Sequence, residues 1–515
     1  MNKAFSPAAL LIWGLCLPLA VLCGLLIATP LSWVTFGMLA VVFLVLCSPL
    51  LIKWHHALLI FSWHSFFIVF FVPGEPSAFV VMAAVSLFIS VLNRTMRKQS
   101  GFISVPSVSR PLLLLIVIIL VTAHFTGGIG GQALGSSNTG AKRYLSAVGA
   151  IFGYFALTAQ AVRPERRILM ASLFFLSGVS GAMSDLIYVA GPSFYFLYTL
   201  VSSSLALMQA YSQETLLRYA GVTFGTLPIC YFLIMRYGIR GLMDFTRPWR
   251  LMMFLAVVSA ALLGGFRSSL IILTLILAVQ FYFERLYKTW HLLLLFAFAL
   301  LLGTGVVISI ERLPLAVQRS FSFLPLHVDP AAKSDALSTL DWRLEIWKIM
   351  AREVPKYFWF GKGFSFSSVD YWLVQEGVMR GLYKSYEDTL VTGSYHSGPL
   401  TIIIPFGIWG FMAFFWFCWT ALKALYANYR YGDPSIQVVN TFLLVFFVGR
   451  LLFFLIFYGQ FDSDLMVFTG TIGLSISLNN GVCVRENEVA EQTEQRELAP
   501  QPILQPSPAF RTRLA

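Results

Sequence analysis

The sequence predicts an all-α protein that crosses a membrane many times, and its composition supports this fold class. Of the 515 residues, 58% are hydrophobic and only 12% are charged. Soluble domains carry about 25% charged residues, so this chain lacks the polar side chains that a solvated surface needs. The chain also has 47 Phe and 13 Trp, which suit contact with lipid and with the membrane interfaces.

Apolar runs long enough to span a membrane, about 20 residues each, recur along the chain. Fourteen candidate spans lie at 8–29, 31–52, 55–72, 76–93, 111–127, 144–162, 168–189, 221–236, 250–265, 268–284, 291–309, 398–421, 437–458 and 464–480. No small-residue cleavage site follows the first run, so we interpret it as a span and not as a signal peptide. We therefore expect about 12–14 transmembrane helices.

These spans divide the chain into four parts. Residues 1–309 form the N-terminal transmembrane helices, 310–397 a large loop domain, and 398–480 the C-terminal transmembrane helices. The tail, 481–515, is polar and rich in Pro and Gln, and we predict that it is disordered because it cannot bury a core.

The basic residues predict how the chain is oriented. They collect in alternate connections: Lys53, then Arg94, Arg97, Lys98 and Arg110, then Arg163, Arg166 and Arg167, then 236–250, then Arg285 and Lys288, and finally Lys423 and Arg430. The positive-inside rule makes this side cytoplasmic, with both termini inside and the segments 190–220 and 310–396 outside. The net charge of +12 thus reflects membrane orientation and does not indicate nucleic-acid binding.

Two classes of site find no support. The six cysteines show no CxxC or zinc spacing, so we interpret them as buried thiols. No glycine-rich phosphate loop of the nucleotide-binding type occurs, which argues against a protein driven by nucleotide hydrolysis.

Several bases depart from this charge pattern. The external or membrane-embedded ones are Lys142, Arg143, Arg218, Arg267 and Arg450. They could anchor to lipid headgroups, or, for Arg450, form an ion pair with Asp462 or Asp464. An Arg at membrane depth is costly, by about 2.5–3.5 kcal/mol, and its planar fork binds phosphate oxygens in pairs. Together these cations favour an anionic ligand at the external membrane surface.

The long external loop contains a predicted amphipathic helix over residues 341–353. Asp341 is a suitable N-cap and Pro355 limits the far end. Arg343 and Trp347 share one face because they are four residues apart. The helix could simply pack against the membrane-proximal core.

His396 stands where this loop re-enters the membrane. Pro399 fits the start of a helix, and Pro405 is expected to kink it. A histidine there could be a general base that activates a hydroxyl. Glu387 and Asp388, upstream in the same loop, could orient its ring.

These residues form patterns that resemble the O-antigen ligases. The pattern H-[NSQ]-x9-G-x-x-[GTY] of that family is matched by His396, Ser397, Gly407 and Gly410. The turn that begins Arg267-Ser-Ser-Leu-Ile is similar to an Arg-containing turn of that superfamily, with Ile271 where Leu is usual. The stretch with Arg343, Trp347, Gly361 and Gly363 resembles R-x-x-x-W followed by G-x-G. The resemblance covers about residues 260–420.

The resemblance implies a metal-independent, inverting GT-C-type transferase without a cofactor, acting on the periplasmic side of the bacterial inner membrane. Its donor would be a polyprenyl-diphosphate-linked glycan and its acceptor a glycan or lipid such as the lipid A core. His396 would be the base, and Arg267 and Arg343 would bind the diphosphate. Lys142, Arg143, Arg218 and Arg450 are assigned to the diphosphate from charge placement alone.

Three alternatives remain open. A repeat-unit polymerase or a protein O-oligosaccharyltransferase would use the same donor with another acceptor. A lipid-linked glycan transporter or flippase would line its path with the same arginines. Transporters often contain paired broken helices in repeated halves, and this sequence shows no such repeat.

Overall fold

The protein is a bundle of α-helices, seen in a computed structural model that describes residues 33–72, 74–96, 102–127, 138–212, 217–384 and 386–484 and a few positions between 14 and 24. The helices of the first half are α1 Trp33–Ser62, α2 Ala78–Met96, α3 Pro106–Thr126, α4 Ala141–Leu157, α5 Arg167–Leu176, α6 Gly181–Ala190, α7 Ser204–Ser212, α8 Ala220–Leu242, α9 Trp249–Ala261, α10 Arg267–Phe283 and α11 His291–Ser309.

The second half contains the external loop and the last three long helices. These are α12 Leu315–Phe321, α13 Pro330–Tyr357, α14 Ser368–Met379, α15 Glu387–Thr392, α16 Leu400–Tyr431, α17 Gln437–Ile456 and α18 Phe461–Asn479. Two short strands, β1 Asn138–Thr139 and β2 Phe366–Ser367, pair antiparallel and join the loop to the start of α4.

Eight helices in the described residues are long and apolar enough to cross a membrane. These include α2, α3, α8, α16 and a joined Pro164–Ala190 unit that contains α5 and α6. Other predicted spans are shorter helices, such as Trp249–Gly264 and Arg267–Phe283. The prediction of an all-α polytopic membrane protein is therefore confirmed.

The predicted spans 31–52 and 55–72 are not separate. Residues 33–62 form the single helix α1, so Lys53 lies within a helix and not in a connection. The sequence suggested a break because a lysine interrupts the apolar run there. The predicted span 8–29 falls almost wholly outside the described residues, as do Arg97, Lys98 and residues 485–515 of the tail.

Phenylalanine packing forms much of the helical core. Phe414, Phe417, Phe442, Phe447 and Phe454 are all buried, which removes large apolar areas from contact with their surroundings. The packing pairs helices that are far apart in the sequence, including α18 with α4, α16 with α3 and α10 with α17.

Some of the basic residues predicted to be cytoplasmic lie close together. Lys53 and Arg166 both lie over the ring of Trp54. Arg167 forms an ion pair of 2.6 Å with Asp433. These contacts bring α1, residues 166–167 and the α16–α17 connection together.

The helix α13 is longer than predicted. It begins after Asp329, whose carboxylate accepts from the amide of Ala331, and has Pro330 in its first turn. Asp341, the predicted N-cap, lies inside it, and Pro355 lies in its last turn. The buried face of residues 330–340 is formed by the small side chains of Ala332 and Ala336, a pattern too weak to predict a helix from the sequence.

A break in α16 receives the segment that follows α13. Gly407 is not helical (φ 63°, ψ −165°), two residues after the predicted kink at Pro405. The amides of Lys362 and Gly363 donate to the carbonyls of Ile404 and Pro405, each at 2.9 Å. The broken helix therefore obtains hydrogen-bond partners from the external loop.

Candidate active site

His396 lies in a strained turn between α15 and α16. Its backbone has φ +53°, a left-handed conformation that costs residues other than Gly of order 1 kcal/mol or more. The indole nitrogen of Trp347 donates to the carbonyl of Tyr395 at 3.0 Å. The imidazole packs against the rings of Trp342 and Tyr458, with centroids 5.0 and 5.1 Å away. These contacts fix the histidine where the loop meets the helix.

Two glycines bring the turn of His396 against the connection that carries Tyr458. A Cβ atom at Gly398 would lie 2.3 Å from the carbonyl oxygen of Phe454, and one at Gly459 would lie 2.5 Å from the Cα of Gly398. Any larger side chain would separate the two segments.

Arg343, like His396, lies near the ring of Tyr458. Its guanidinium carbon is 5.6 Å from the centre of the Tyr458 ring. Arg343 Nε and His396 Nδ1 are both buried, and neither makes a hydrogen bond within the described part of the chain. Such orphaned polar atoms are rare in native proteins and call for an explanation. A bound ligand would supply the missing partners.

The electrostatic surroundings keep the imidazole neutral. Burial, followed by repulsion from Arg343, lowers the pKa of His396 to about 4. Burial also lowers the pKa of Arg343. At neutral pH, His396 therefore has a free lone pair and could accept a proton from a hydroxyl.

Arg267 begins α10 after a tight turn and reaches the loop helix. Its Nη2 donates to the carbonyl of Ala336 in α13 at 2.7 Å. Arg343 lies on the same helix, two turns after Ala336. The helix α13 therefore carries one predicted diphosphate ligand, Arg343, and binds the other, Arg267.

Two other arginines support the turn before Arg267. Arg218 Nε donates to the carbonyl of Gly264 at 3.1 Å, and Arg319 Nη1 donates to the carbonyl of Gly265 at 2.5 Å. Burial lowers the pKa of Arg218 to about 10, and Arg319 adds repulsion. Arg218 is thus engaged with backbone in this structure, and its assignment to the diphosphate stays a prediction.

Arg319 also ties this turn to α13. It is buried, forms an ion pair with Asp335 and donates to the hydroxyl of Thr339 at 3.0 Å. Arg319 therefore sets the spacing between the Arg267 turn and the helix that carries Arg343.

Positive charge is in excess around this turn. Arg267 is repelled by Arg319 and Arg343, and Asp335 is the one carboxylate among its principal electrostatic partners in the described residues. Like charges gathered at partly buried positions are destabilising without counter-charge. The arrangement favours an anionic ligand.

Arg450 and Arg143 have carboxylate partners. Arg450 pairs with Asp464 at 2.5 Å, and Arg143 pairs with Asp462 at 3.3 Å. The ion pair considered for Arg450 is therefore formed. Lys142, beside Arg143, is exposed. The structure thus places Arg343 beside the histidine and Arg267 within electrostatic reach of Arg343, whereas Arg450 and Arg143 already have carboxylate partners.

The acidic residues proposed to orient the histidine lie elsewhere in the hydrogen-bond network. Asp388 accepts from the amide and the hydroxyl of Thr389, at 2.6 and 3.1 Å. The described neighbours of the imidazole are instead Trp342 and Tyr458, because the left-handed turn directs the ring towards α13 and the α17–α18 connection.

Sequence reasoning missed Arg319, Trp342 and Tyr458. Arg319 meets the criterion that selected the other arginines, a base in a segment predicted to be external. Trp342 is next to Arg343, and Tyr458 was considered only as the end of a span. Nothing in the local pattern of either aromatic residue indicates contact with His396.

Comparison with known proteins identifies a family for part of the chain. Residues 251–415 match the family model described as O-antigen ligase. This range contains Arg267, Arg319, Arg343 and His396. No curated protein matches the chain.

Proposed function

We propose, from the match of residues 251–415 to the family model described as O-antigen ligase, that this chain is a transferase of that type, which moves a glycan from a polyprenyl-diphosphate carrier to an acceptor hydroxyl. The family match supports ligase- or polymerase-type activity in general. The lipid-linked donor, the hydroxyl acceptor and the roles of individual residues are what this proposal adds.

The observation that carries the proposal is the pair of orphaned atoms, His396 Nδ1 and Arg343 Nε, beside an excess of arginine charge. A diphosphate supplies the oxygens that guanidinium groups bind best. A hydroxyl supplies the proton that a neutral imidazole can accept. A phosphorylated lipid and a hydroxyl acceptor together therefore match both halves of the site.

In the proposed reaction the acceptor oxygen attacks the anomeric carbon of the donor sugar. The new C–O bond forms as the bond from that carbon to the diphosphate oxygen breaks, so the configuration inverts. His396 takes the hydroxyl proton. Arg267 and Arg343 hold the departing diphosphate, whose negative charge grows in the transition state, in the metal-independent manner that the resemblance implies.

The low pKa of His396 fits this chemistry. Diphosphate is a good leaving group, so the acceptor needs only modest activation. Binding of the anionic donor opposes the repulsion from Arg343 and raises the basicity of the imidazole when the substrate is present.

We propose that the site lies on the periplasmic side of the inner membrane, with both termini in the cytoplasm. The support is the concentration of basic residues in alternate connections of the sequence. The acceptor is proposed to be the lipid A core, with a repeat-unit polymerase as the alternative.

The test is transfer in proteoliposomes that contain a polyprenyl-diphosphate-linked glycan and either lipid A core or a second donor molecule. Replacing His396 with Ala should reduce transfer about 100-fold or more, as expected for loss of a general base. His327→Ala is the matched control, since that histidine is exposed in the same loop. Movement of the donor between leaflets without product would favour a flippase, and transfer unaffected by His396→Ala would refute the base.

A further inference from the structure

The segment after α13 forms a hairpin whose backbone is joined to the broken part of α16. Ile408 N donates to the carbonyl of Phe358 at 2.6 Å, and the amides of Lys362 and Gly363 donate to Ile404 and Pro405. We call residues 358–363 the hairpin. Its backbone occupies the gap that the break in α16 creates.

Close contact in this hairpin depends on glycine. Gly361 has φ +67°, and a Cβ atom there would lie 2.1 Å from the carbonyl oxygen of Pro405. A Cβ atom at Gly407 would lie 2.7 Å from the carbonyl oxygen of Trp359. The glycines of both segments thus allow two backbones to touch.

Mutual pairing of two irregular backbones is the arrangement expected where water is absent. An exposed break in a helix can bond to solvent, but inside hydrocarbon each unsatisfied group costs several kcal/mol. Here the amides and carbonyls released at Pro405 and Gly407 find partners in the hairpin. The pairing would be unnecessary in water.

The depth of the hairpin follows from α16. No charged residue occurs between Leu400 and Leu422, and Lys423 follows. A hydrocarbon core of about 30 Å corresponds to about 20 helical residues. Counted back from Lys423, the core ends near Ile403, so the hairpin, paired with residues 404–408, lies just inside its outer edge.

The tip of the hairpin exposes two aromatic side chains. Trp359 is 59% exposed and Phe360 is 84% exposed. Lys362 extends instead towards the ring of Tyr395, at 5.6 Å from its centre. Aromatic side chains are enriched at the edge of the hydrocarbon, so the two exposed rings suit contact with lipid there.

We propose that the hairpin 358–363 is a re-entrant element whose Trp359 and Phe360 side chains lie among the acyl chains of the outer leaflet. The occupant of this surface is bilayer lipid. Because α13 leads directly into the hairpin, this insertion also fixes the height of Arg343 and, through Trp347, that of His396 relative to the membrane surface. The inference does not depend on the proposed transferase activity.

The test uses a bimane fluorophore on a cysteine at position 360, made by Phe360→Cys in a chain without its six native cysteines. The protein is reconstituted in vesicles of phosphatidylethanolamine and phosphatidylglycerol. Leu337→Cys is the control. Leu337 is an exposed apolar residue of α13 that lies six residues before Arg343 and therefore further from the hairpin. We expect lipid with a doxyl group near the headgroup to quench the label at 360 strongly and aqueous iodide to leave it bright, with the reverse at 337.

Two outcomes would overturn the proposal. Quenching by iodide at 360 as strong as at 337 would place the hairpin in water. Absence of quenching by either agent would mean that protein, such as a second copy of the chain, covers it. A photoreactive benzoylphenylalanine at 360 in the chain with native cysteines gives an independent reading, since it should crosslink to lipid and not to protein.

Discussion

The site depends on individual side chains that each carry a cost. His396 adopts a left-handed backbone conformation, and its ring has a buried nitrogen without a partner in the described chain. The Nε atom of Arg343 is likewise buried and has no hydrogen-bond partner within the described residues. Costs of this kind persist at functional sites because the surrounding structure holds them in place, here through Trp342, Trp347 and Tyr458.

The pH dependence of transfer should report the repulsion between Arg343 and His396. Activity requires the neutral imidazole, so kcat/KM should fall as the pH drops through the pKa of about 4. Arg343→Gln removes a positive charge that lowers this pKa, so the acid limb should move to higher pH. Arg343→Lys keeps the charge and should leave the limb in place. A limb that does not move in Arg343→Gln would mean that another group titrates.

Arg319 should act by positioning the Arg267 turn. Arg319→Met removes its bonds to Gly265, Asp335 and Thr339. The Asp335 side chain that loses its partner is 37% exposed, so the lost ion pair itself contributes about 1 kcal/mol or less. We expect lower stability, a higher KM for donor and a lower kcat.

A double variant separates position from stability. Adding Asp335→Leu to Arg319→Met removes the unpaired carboxylate and should recover part of the lost thermal stability while transfer stays low. Arg312→Met, at an exposed arginine of the same loop, should change neither. Recovery of transfer together with stability in the double variant would reduce Arg319 to a purely structural role.

At the scale of elements, α13 connects the parts of the site. Ala336 receives Arg267, Thr339 receives Arg319, and Trp347 donates to the backbone before His396. The spacing of Arg343 and Trp347 allowed their shared face to be predicted from the sequence. The first eleven residues of the helix were not predicted, because their buried apolar residues are the small Ala332 and Ala336 and their polar contacts to Arg267 and Arg319 depend on tertiary packing.

The hairpin gives a matched test of glycine geometry. Gly361 and Gly381 have φ +67° and +70°, but only Gly361 has an atom within 4 Å of an added Cβ. Gly381→Ala should cost about 1 kcal/mol for the left-handed conformation. Gly361→Ala should cost about 1–3 kcal/mol more through overpacking.

The measurement is the midpoint of thermal unfolding in the same detergent. The midpoint should fall clearly further in Gly361→Ala than in Gly381→Ala. Equal shifts in the two variants would contradict the docking of the hairpin against Pro405.

At the scale of the whole molecule, the sequence predicted the class but not the packing. Composition and apolar runs sufficed for an all-α polytopic protein, and motif spacing selected His396, Arg267 and Arg343 as candidates, of which Arg343 lies beside His396. The union of two predicted spans in α1 escaped detection because Lys53 interrupts its apolar run. Contacts such as Arg143 with Asp462, 319 residues apart, depend on tertiary packing that no local pattern contains.

The central claim is that Arg267 and Arg343 bind a lipid diphosphate beside a histidine that does chemistry. Its most direct test is a binding titration of glycan-free polyprenyl diphosphate to the protein in nanodiscs. Arg343→Gln should weaken binding about 10- to 100-fold, the effect of losing a charge-assisted hydrogen bond of about 1.5–3 kcal/mol. His396→Ala should bind as the wild type does, and so should Arg380→Gln, an exposed arginine paired with Glu376. Undiminished binding by Arg343→Gln would contradict the account.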